Sequence, residues 1–484
     1  MKITELKPAA IWQRFAEITQ VPRPSKHEEK MIAFIENFAK QHSLPYKKDK
    51  CGNIVITKKA TKGCENRKPI VLQSHIDMVC EKNASKQHDF MTDPIETIVD
   101  GQWLRANGTT LGADDGIGVA AELAILTDET FEHGPIECLF TVDEETGLTG
   151  AQNIEKGFFE GTTLLNLDSE DEGEVYVGCA GGCTTKILFK TELEHVPQNM
   201  LGLRIVATGL QGGHSGGDIH LNRGNANKIM ARFIAQAQEK CGMRIASFDG
   251  GNLHNAIARE AVVIGAVPFA ERENIRVLLN NFSADIQDEL KDADPNFRMT
   301  LETTDELTAL LTIDLQKRLI NAIVNCPHGV IAMSKDIPDL VETSTNLASV
   351  KMKDDGIAIG TSQRSSVEEA KIAVQKSVAD VFLQAGVQVE CCEGYPGWTP
   401  NMDSPILHLS QESYKRLFGK DVKVKAIHAG LECGLFLEKY PNLDMISFGP
   451  TLRGVHSPDE KVEIKTVQMF WDYLIDIISH FDKN

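Results

Sequence analysis

The sequence predicts an α/β protein whose first domain is discontinuous: a central mixed sheet drawn from residues 1–181 and 398–484, with an α+β domain inserted at 182–397. Three observations predict it. Short apolar runs (PIVLQS, ECLFTV, TTLLNL) alternate with helical or loop sequence up to about residue 180, as in a sheet covered by helices. A fourth such run, LDMISFGP, comes only near the C-terminus, so the last strands of that sheet arrive after a long interruption. Within the interruption the texture changes to a Gly-rich stretch followed by strands alternating with helices. A length of 484 residues also exceeds what one ordinary core holds.

Taken in order, Ser25 and Glu28 in PSKHEEKMIAFIENFAK predict a capping box before an amphipathic helix, and CGNIVITK predicts a strand entered through a Gly-Asn turn. TTLGADDGIGVAAELAIL predicts a Gly-rich loop running into a helix. In the insertion, GLQGGHSGGDIHLNRGNANKIMARFIAQAQ leads into another helix. GNLHNAIAREAVVIGAV and STNLASVKMKDDGIAIGTSQ each place an Asn before alternating strand residues, an echo that reads either as a duplicated α+β unit or as chance.

A formal net charge of -19 with no basic stripe argues against a nucleic-acid or anionic-membrane partner. MKITELKPAAIWQRF has no apolar segment behind basic residues, and no later apolar run approaches the roughly 18–20 residues of a membrane span, so a cytoplasmic protein is expected. The 11 cysteines are odd in number and mostly scattered (Cys51, Cys64, Cys80, Cys138, Cys241), which predicts reduced thiols. Cys179 with Cys183, and Cys391 with Cys392, lack the second pair that a structural zinc site needs.

In α/β sheets ligands collect beyond the carboxyl ends of strands, which selects the residues after each apolar run: His75, Glu144 with Glu145, Asp168 and, past the last run, His456. His75 and Asp77 alternate on an extended strand, so the carboxylate can fix the imidazole's tautomer for a metal. Asp114 and Asp115 stand in a Gly-rich loop before a helix. An acidic helix start is the ordinary reading there and a carboxylate shared by two cations the functional one, for which Asp114 is chosen over Asp115 although local sequence barely separates the two acids. Glu144 and Glu145 read as solvated acids or as a general base beside a ligand. Each residue is commonplace alone. Together they form the N/O donor set that suits a zinc pair or related divalent ions, which two-metal hydrolases hold about 3.5–4 Å apart.

The ordered set VLQSHIDMV, TTLGADDGIGVA, TVDEETG, NLDSEDEGE with YVGCAGG, GLQGGHSGGDIH and HAGLECG resembles the cytosol non-specific dipeptidases (aminoacyl-histidine dipeptidases, peptidase D). These are a branch of the two-zinc aminoacylase and carboxypeptidase-type metallopeptidases, and the resemblance spans essentially the whole chain. It implies His75 and Asp168 on one metal, Glu145 and His456 on the other, and Asp114 as the bridge. Asp77 would orient His75, and Glu144 would be the general base toward a water between the metals. The wider pattern often has a Lys where this chain has Gly116.

His214 is implied as an oxyanion-stabilising residue of a lid domain, reaching the metals within one chain or from the partner of a homodimer. Arg364 is implied as the clamp on a substrate carboxylate. Hinges are expected near 181–186 and 397–400, at Gly181, Gly182 and Gly397. The implied activity is hydrolysis of small dipeptides with broad specificity, Xaa-His included, using two Zn2+ ions, or Co2+ or Mn2+. The rival readings are an N-acyl amino acid amidohydrolase on the same fold and a non-catalytic metal-binding protein, the last of which leaves Glu144 without a purpose.

Overall fold

In the computed structural model residues 2–305, 307–353 and 356–483 are described. Asp354 and Asp355, in the second echo sequence, lie outside the described residues. The chain divides into two compact units: Met1–Cys179, Trp398–Ala426 and Leu431–Asn484 form the first, Ala180–Gly397 and Ile427–Gly430 the second.

The first unit is built on an eight-stranded sheet in the order Tyr46–Lys48, Ile54–Lys58, Ile136–Thr141, Ile70–His75, Thr163–Asn166, Asp444–Ser447, Glu174–Cys179, Lys423–Ile427. The middle four strands run parallel, and antiparallel neighbours flank them. Ile70–His75, Ile136–Thr141 and Thr163–Asn166 are buried along their whole length, which is why they read as continuous apolar runs rather than alternating ones. Because the four are parallel, their carboxyl ends share one edge. His75 ends one strand, Glu144 and Glu145 follow the second, Asp168 follows the third, and the loop to His456 follows the fourth.

A small antiparallel sheet (Leu452–Arg453, Lys461–Glu463, Trp103–Ala106, Thr97–Asp100) closes that last loop. Leu452 pairs with Val462 and Arg453 with Lys461, so His456 sits in the connection of a short hairpin, at φ +59°. The expected capping box is not formed. The helix Glu29–Gln41 starts at Glu28 without a side-chain cap, because Ser25 Oγ donates to Asp77 Oδ2 at 2.8 Å, while Glu28 Oε1 accepts the amides of Lys26 and Asp143. A tertiary partner outcompetes the local one.

The second unit holds a nine-stranded sheet: Arg298–Thr303, Met200–Thr208, Ala261–Pro268, Arg244–Gly250, Val341–Lys353, Gly356–Ser365, Gly181–Phe189, Gln388–Cys391, with Gly329–Met333 also paired to Val341–Lys353. The order repeats. In one half Met200–Thr208, the helix Ala226–Cys241, the strands Arg244–Gly250 and Ala261–Pro268, the helix Arg272–Glu289 and Arg298–Thr303 follow one another. In the other, Gly181–Phe189, the helix Ile313–Asn325, Val341–Lys353, Gly356–Ser365, the helix Glu368–Gln384 and Gln388–Cys391 follow with the same spatial arrangement. The halves meet where Gly250 pairs with Val350. The two echo sequences do not cover equivalent stretches: the first begins only after Arg244–Gly250 and runs into Ala261–Pro268, the second lies in Val341–Lys353 and Gly356–Ser365, so Asn252 lies in a connection and Asn346 within a strand. Phe233, Phe248, Phe282 and Phe382 anchor the core under this sheet. Among the described residues no helix is long and apolar enough to cross a membrane.

Candidate functional site

At the shared edge of the first unit, His75 is almost fully buried, with Nδ1 3.2 Å from Asp77 Oδ1 and Nε2 3.0 Å from Asp114 Oδ1 and 3.4 Å from Asp168 Oδ1. His456 Nε2 stands 3.2 Å from the other Asp114 oxygen, Oδ2, and 2.9 Å from Glu145 Oε2. The two oxygens of Asp114 therefore face two separate His-carboxylate groups. Asp115 points elsewhere: it is buried and accepts the amide of Gly118 on its own helix, at 3.1 Å. The ADDG sequence by itself barely separates the two acids.

Asp77 lies two residues beyond its strand and is fully buried. Besides facing His75 it accepts Ser25 Oγ, at 2.8 Å, and the amides of Glu144, at 3.0 Å, and Glu145, at 3.3 Å. One carboxylate thus sets both the His75 ring and the start of the turn carrying the paired acids. Among the described residues the Glu144 carboxylate has no hydrogen-bond partner.

Five carboxylates (Asp77, Asp114, Glu144, Glu145, Asp168) face two imidazoles here. Burial, with neighbouring acids adding to it, pushes Glu144 and Asp168 well above the usual carboxylate range. Burial alone would lower His75, but Asp168, Asp114 and Asp77 hold it well above its ordinary value. Hydrogen bonds to Asp114 and Glu145 carry His456 up to about 11. Such a surplus of acid is what bound cations would neutralise. A tetrahedral ion with N and O ligands at about 2.0–2.2 Å requires donor separations of about 3.3 Å. The four separations, 3.0, 3.4, 3.2 and 2.9 Å, lie close to that, and the donors are the histidine and carboxylate types that zinc and related ions take.

Two residues of the second unit were also singled out by sequence. His214 Nδ1 accepts the amides of Gly217, at 2.9 Å, and Gly216, at 3.3 Å, so the ring's proton sits on Nε2. Burial, helped by Arg364, lowers the pKa of His214, which keeps the ring neutral. Arg364 is buried, donates to Tyr395 Oη at 2.9 Å and lies 3.4 Å from Ser215 Oγ, and among the described residues no carboxylate pairs with it.

Residues 71–480 match the family described as Peptidase family M20/M25/M40. The chain belongs to that peptidase family. The chain is 42% identical over 477 residues, 99% of its length and 98% of the relative's, to the cytosol non-specific dipeptidase of Escherichia coli (strain K12). It is also similar to the crystal structure of aminoacylhistidine dipeptidase from Vibrio alginolyticus, with a TM-score of 0.92 and 42% identity over 99% of this chain and 98% of that one. A tripeptidase from Staphylococcus aureus shares the fold, with a TM-score of 0.57 at 17% identity over 99% of this chain and 100% of that one. The M20/M25/M40 member described here is accordingly a metal-dependent hydrolase.

Sequence reasoning passed over several residues that hold these candidate side chains and their loops in place. Arg23 and Glu460 are buried beside the Asp114 loop, and Tyr395 holds Arg364. Behind the strand ends, Gln73 donates to Glu432 Oε2 at 2.6 Å and accepts from Asn166 at 2.6 Å, and burial raises Glu432 to about 7. The absent Lys at position 116 also has a steric reason. A Cβ on Gly116 would lie 2.6 Å from Arg23 Nη2 and 2.9 Å from Phe15 Cε2, so Arg23 already brings a cation to that place.

Proposed function

We propose that this protein is a two-metal dipeptidase of broad specificity, acting on small unblocked dipeptides, Xaa-His substrates included. In this reading His75 and Asp168 would hold one ion and Glu145 and His456 the other, with Asp114 offering an oxygen to each. Zinc is the favoured ion, and the same donors accept Co2+ or Mn2+. The observation that carries the reading is the division of Asp114, one oxygen toward His75 and the other toward His456. The likeness to two dipeptidases over nearly the whole chain supports the substrate class.

Bound divalent ions would lower the pKa of the attacking water and polarise the scissile carbonyl. The remaining work falls to side chains. Glu144, its backbone fixed by Asp77 and its carboxylate unpartnered, takes the proton from the water and hands it to the leaving amine. His214 offers Nε2–H to the oxyanion as a neutral donor. Arg364, already oriented by Tyr395, holds the free carboxylate of the dipeptide through its planar fork, and this favours short substrates. The name of the Escherichia coli relative supports a cytoplasmic location.

A substrate panel tests the reading: several unblocked dipeptides, a tripeptide and an N-acetyl amino acid, with metal-restored protein. Cleavage confined to the unblocked dipeptides is expected. Cleavage of the acetylated substrate alone would instead make the protein a deacylase.

A further inference from the structure

Arg23 and Glu460 are oppositely charged, each about 2% exposed, and neither is a donor in the metal cluster. Arg23 Nη1 donates to the carbonyls of Ile76, at 3.0 Å, and Asp77, at 2.7 Å, just past His75, and Nη2 donates to the carbonyl of Gly112. The Arg23 carbonyl also accepts the amide of Met78, at 3.1 Å. Glu460 Oε2 accepts the amides of Leu111, at 2.7 Å, and Gly112, at 3.0 Å, while Oε1 accepts Ala113, at 2.7 Å, and Asp114, at 3.4 Å. Glu460 stands four residues after His456 in the connection of the Leu452–Val462 hairpin.

Gly112 is the point on which both act. Its N–H goes to Glu460 and its carbonyl to Arg23, its φ is +68°, and a Cβ there would lie 2.5 Å from Arg23 Nη2. The loop that delivers Asp114 is therefore gripped from both sides. Arg23 ties it to the segment carrying His75, and Glu460 ties it to the segment carrying His456. Burying two such charges is a costly way to gain stability, since each ion loses its hydration and apolar replacements often do as well. What fully hydrogen-bonded charges supply instead is fixed backbone position.

We propose that Arg23 and Glu460 are positioning residues that set the spacing of the two metal subsites about Asp114, Arg23 registering the His75 side and Glu460 the His456 side. The proposal rests on the two-metal reading given above. It requires that loosening either residue weaken one subsite more than the other, by the factor of about 10–100 that outer partners of metal ligands are worth.

The test is a zinc titration of metal-free wild type, Arg23→Lys and Glu460→Gln against a competing chelator, read as affinity and stoichiometry on the folded fraction, with denaturant unfolding of each metal-free protein alongside. Lysine keeps the charge but cannot span three carbonyls, and glutamine turns an N–H group toward backbone amides. Each variant should hold one ion with near wild-type affinity and the second about tenfold or more weaker, with kcat reduced at saturating zinc and KM little changed. Two ions bound by wild type and by both variants with equal affinities would overturn the positioning role even if unfolding midpoints fell. Wild type binding fewer than two ions would overturn the two-metal reading and this proposal together. Should Glu460→Gln not fold, Arg23→Lys carries the test alone.

Discussion

Replacing Asp77 with Asn leaves the shape of the site intact and removes a single anionic acceptor. Asp77 Oδ1 faces His75 Nδ1 at 3.2 Å and the Glu144 amide at 3.0 Å, and Oδ2 faces Ser25 Oγ at 2.8 Å and the Glu145 amide at 3.3 Å. An amide can present its NH2 to only one of these pairs. Facing Ser25, the hydroxyl can turn to accept, but the buried Glu145 amide is orphaned, at about 1–3 kcal/mol. Facing His75, the ring must give up its Nδ1 proton, which moves to Nε2 and blocks the nitrogen meant for metal. On the two-metal reading the outer support of His75 as a ligand is weakened either way, which is worth about 10–100-fold in metal affinity, or about 1.4–2.7 kcal/mol. Competition with a chelator measures the affinity, and denaturant unfolding of metal-free protein measures the stability, expected to fall by about 1–3 kcal/mol. Zinc affinity within about twofold of wild type would refute the reasoning, because the predicted minimum is about tenfold.

Glu144→Gln should lower kcat by about 100- to 10,000-fold while elemental analysis finds the metals still bound, since a general base is not a ligand; a near wild-type rate would remove Glu144 from the mechanism. His456→Ala should cost one ion per chain after dialysis, and unchanged metal content would withdraw His456 from the ligand set. In the second unit, burial lowers His328 to about 4 and His428 to about 3, so both rings are neutral in the fold while unfolded rings titrate near 6.5. Stability from these two is full above the unfolded value and is lost as pH falls through it, by about 2 kcal/mol for each by about pH 5. Replacing His328, whose Nδ1 accepts the Leu347 amide, with Gln should flatten that acid limb of the unfolding curve, and an unchanged limb would contradict the assignment.

What could be read from sequence followed from chain-local patterns. Parallel strands buried on both faces are apolar throughout, so PIVLQS, ECLFTV, TTLLNL and LDMISFGP announced themselves, and the residues just past them fell where such sheets collect ligands. Distant partners left no such mark. Ser25 and Glu28 have the spacing of a cap, yet Ser25 bonds a carboxylate 52 residues away. Arg23 reaches backbone 53 and 89 residues on, and Glu460 reaches back more than 340, with no periodicity to register either. The choice between Asp114 and Asp115 turns on the backbone at the start of one helix, which neighbouring sequence does not encode. The repeat in the second unit survives in strand order and in little else, because the same arrangement tolerates different side chains on each half.

The most direct test of the account is to strip the protein with a chelator and follow hydrolysis of one unblocked dipeptide as zinc is added in known equivalents, with bound metal measured at each step. The account predicts no turnover without metal and a rate that reaches its plateau at two ions per chain, the number for which the two faces of Asp114 provide. A full rate in the stripped protein, or a plateau reached with no more than one ion bound, would contradict it.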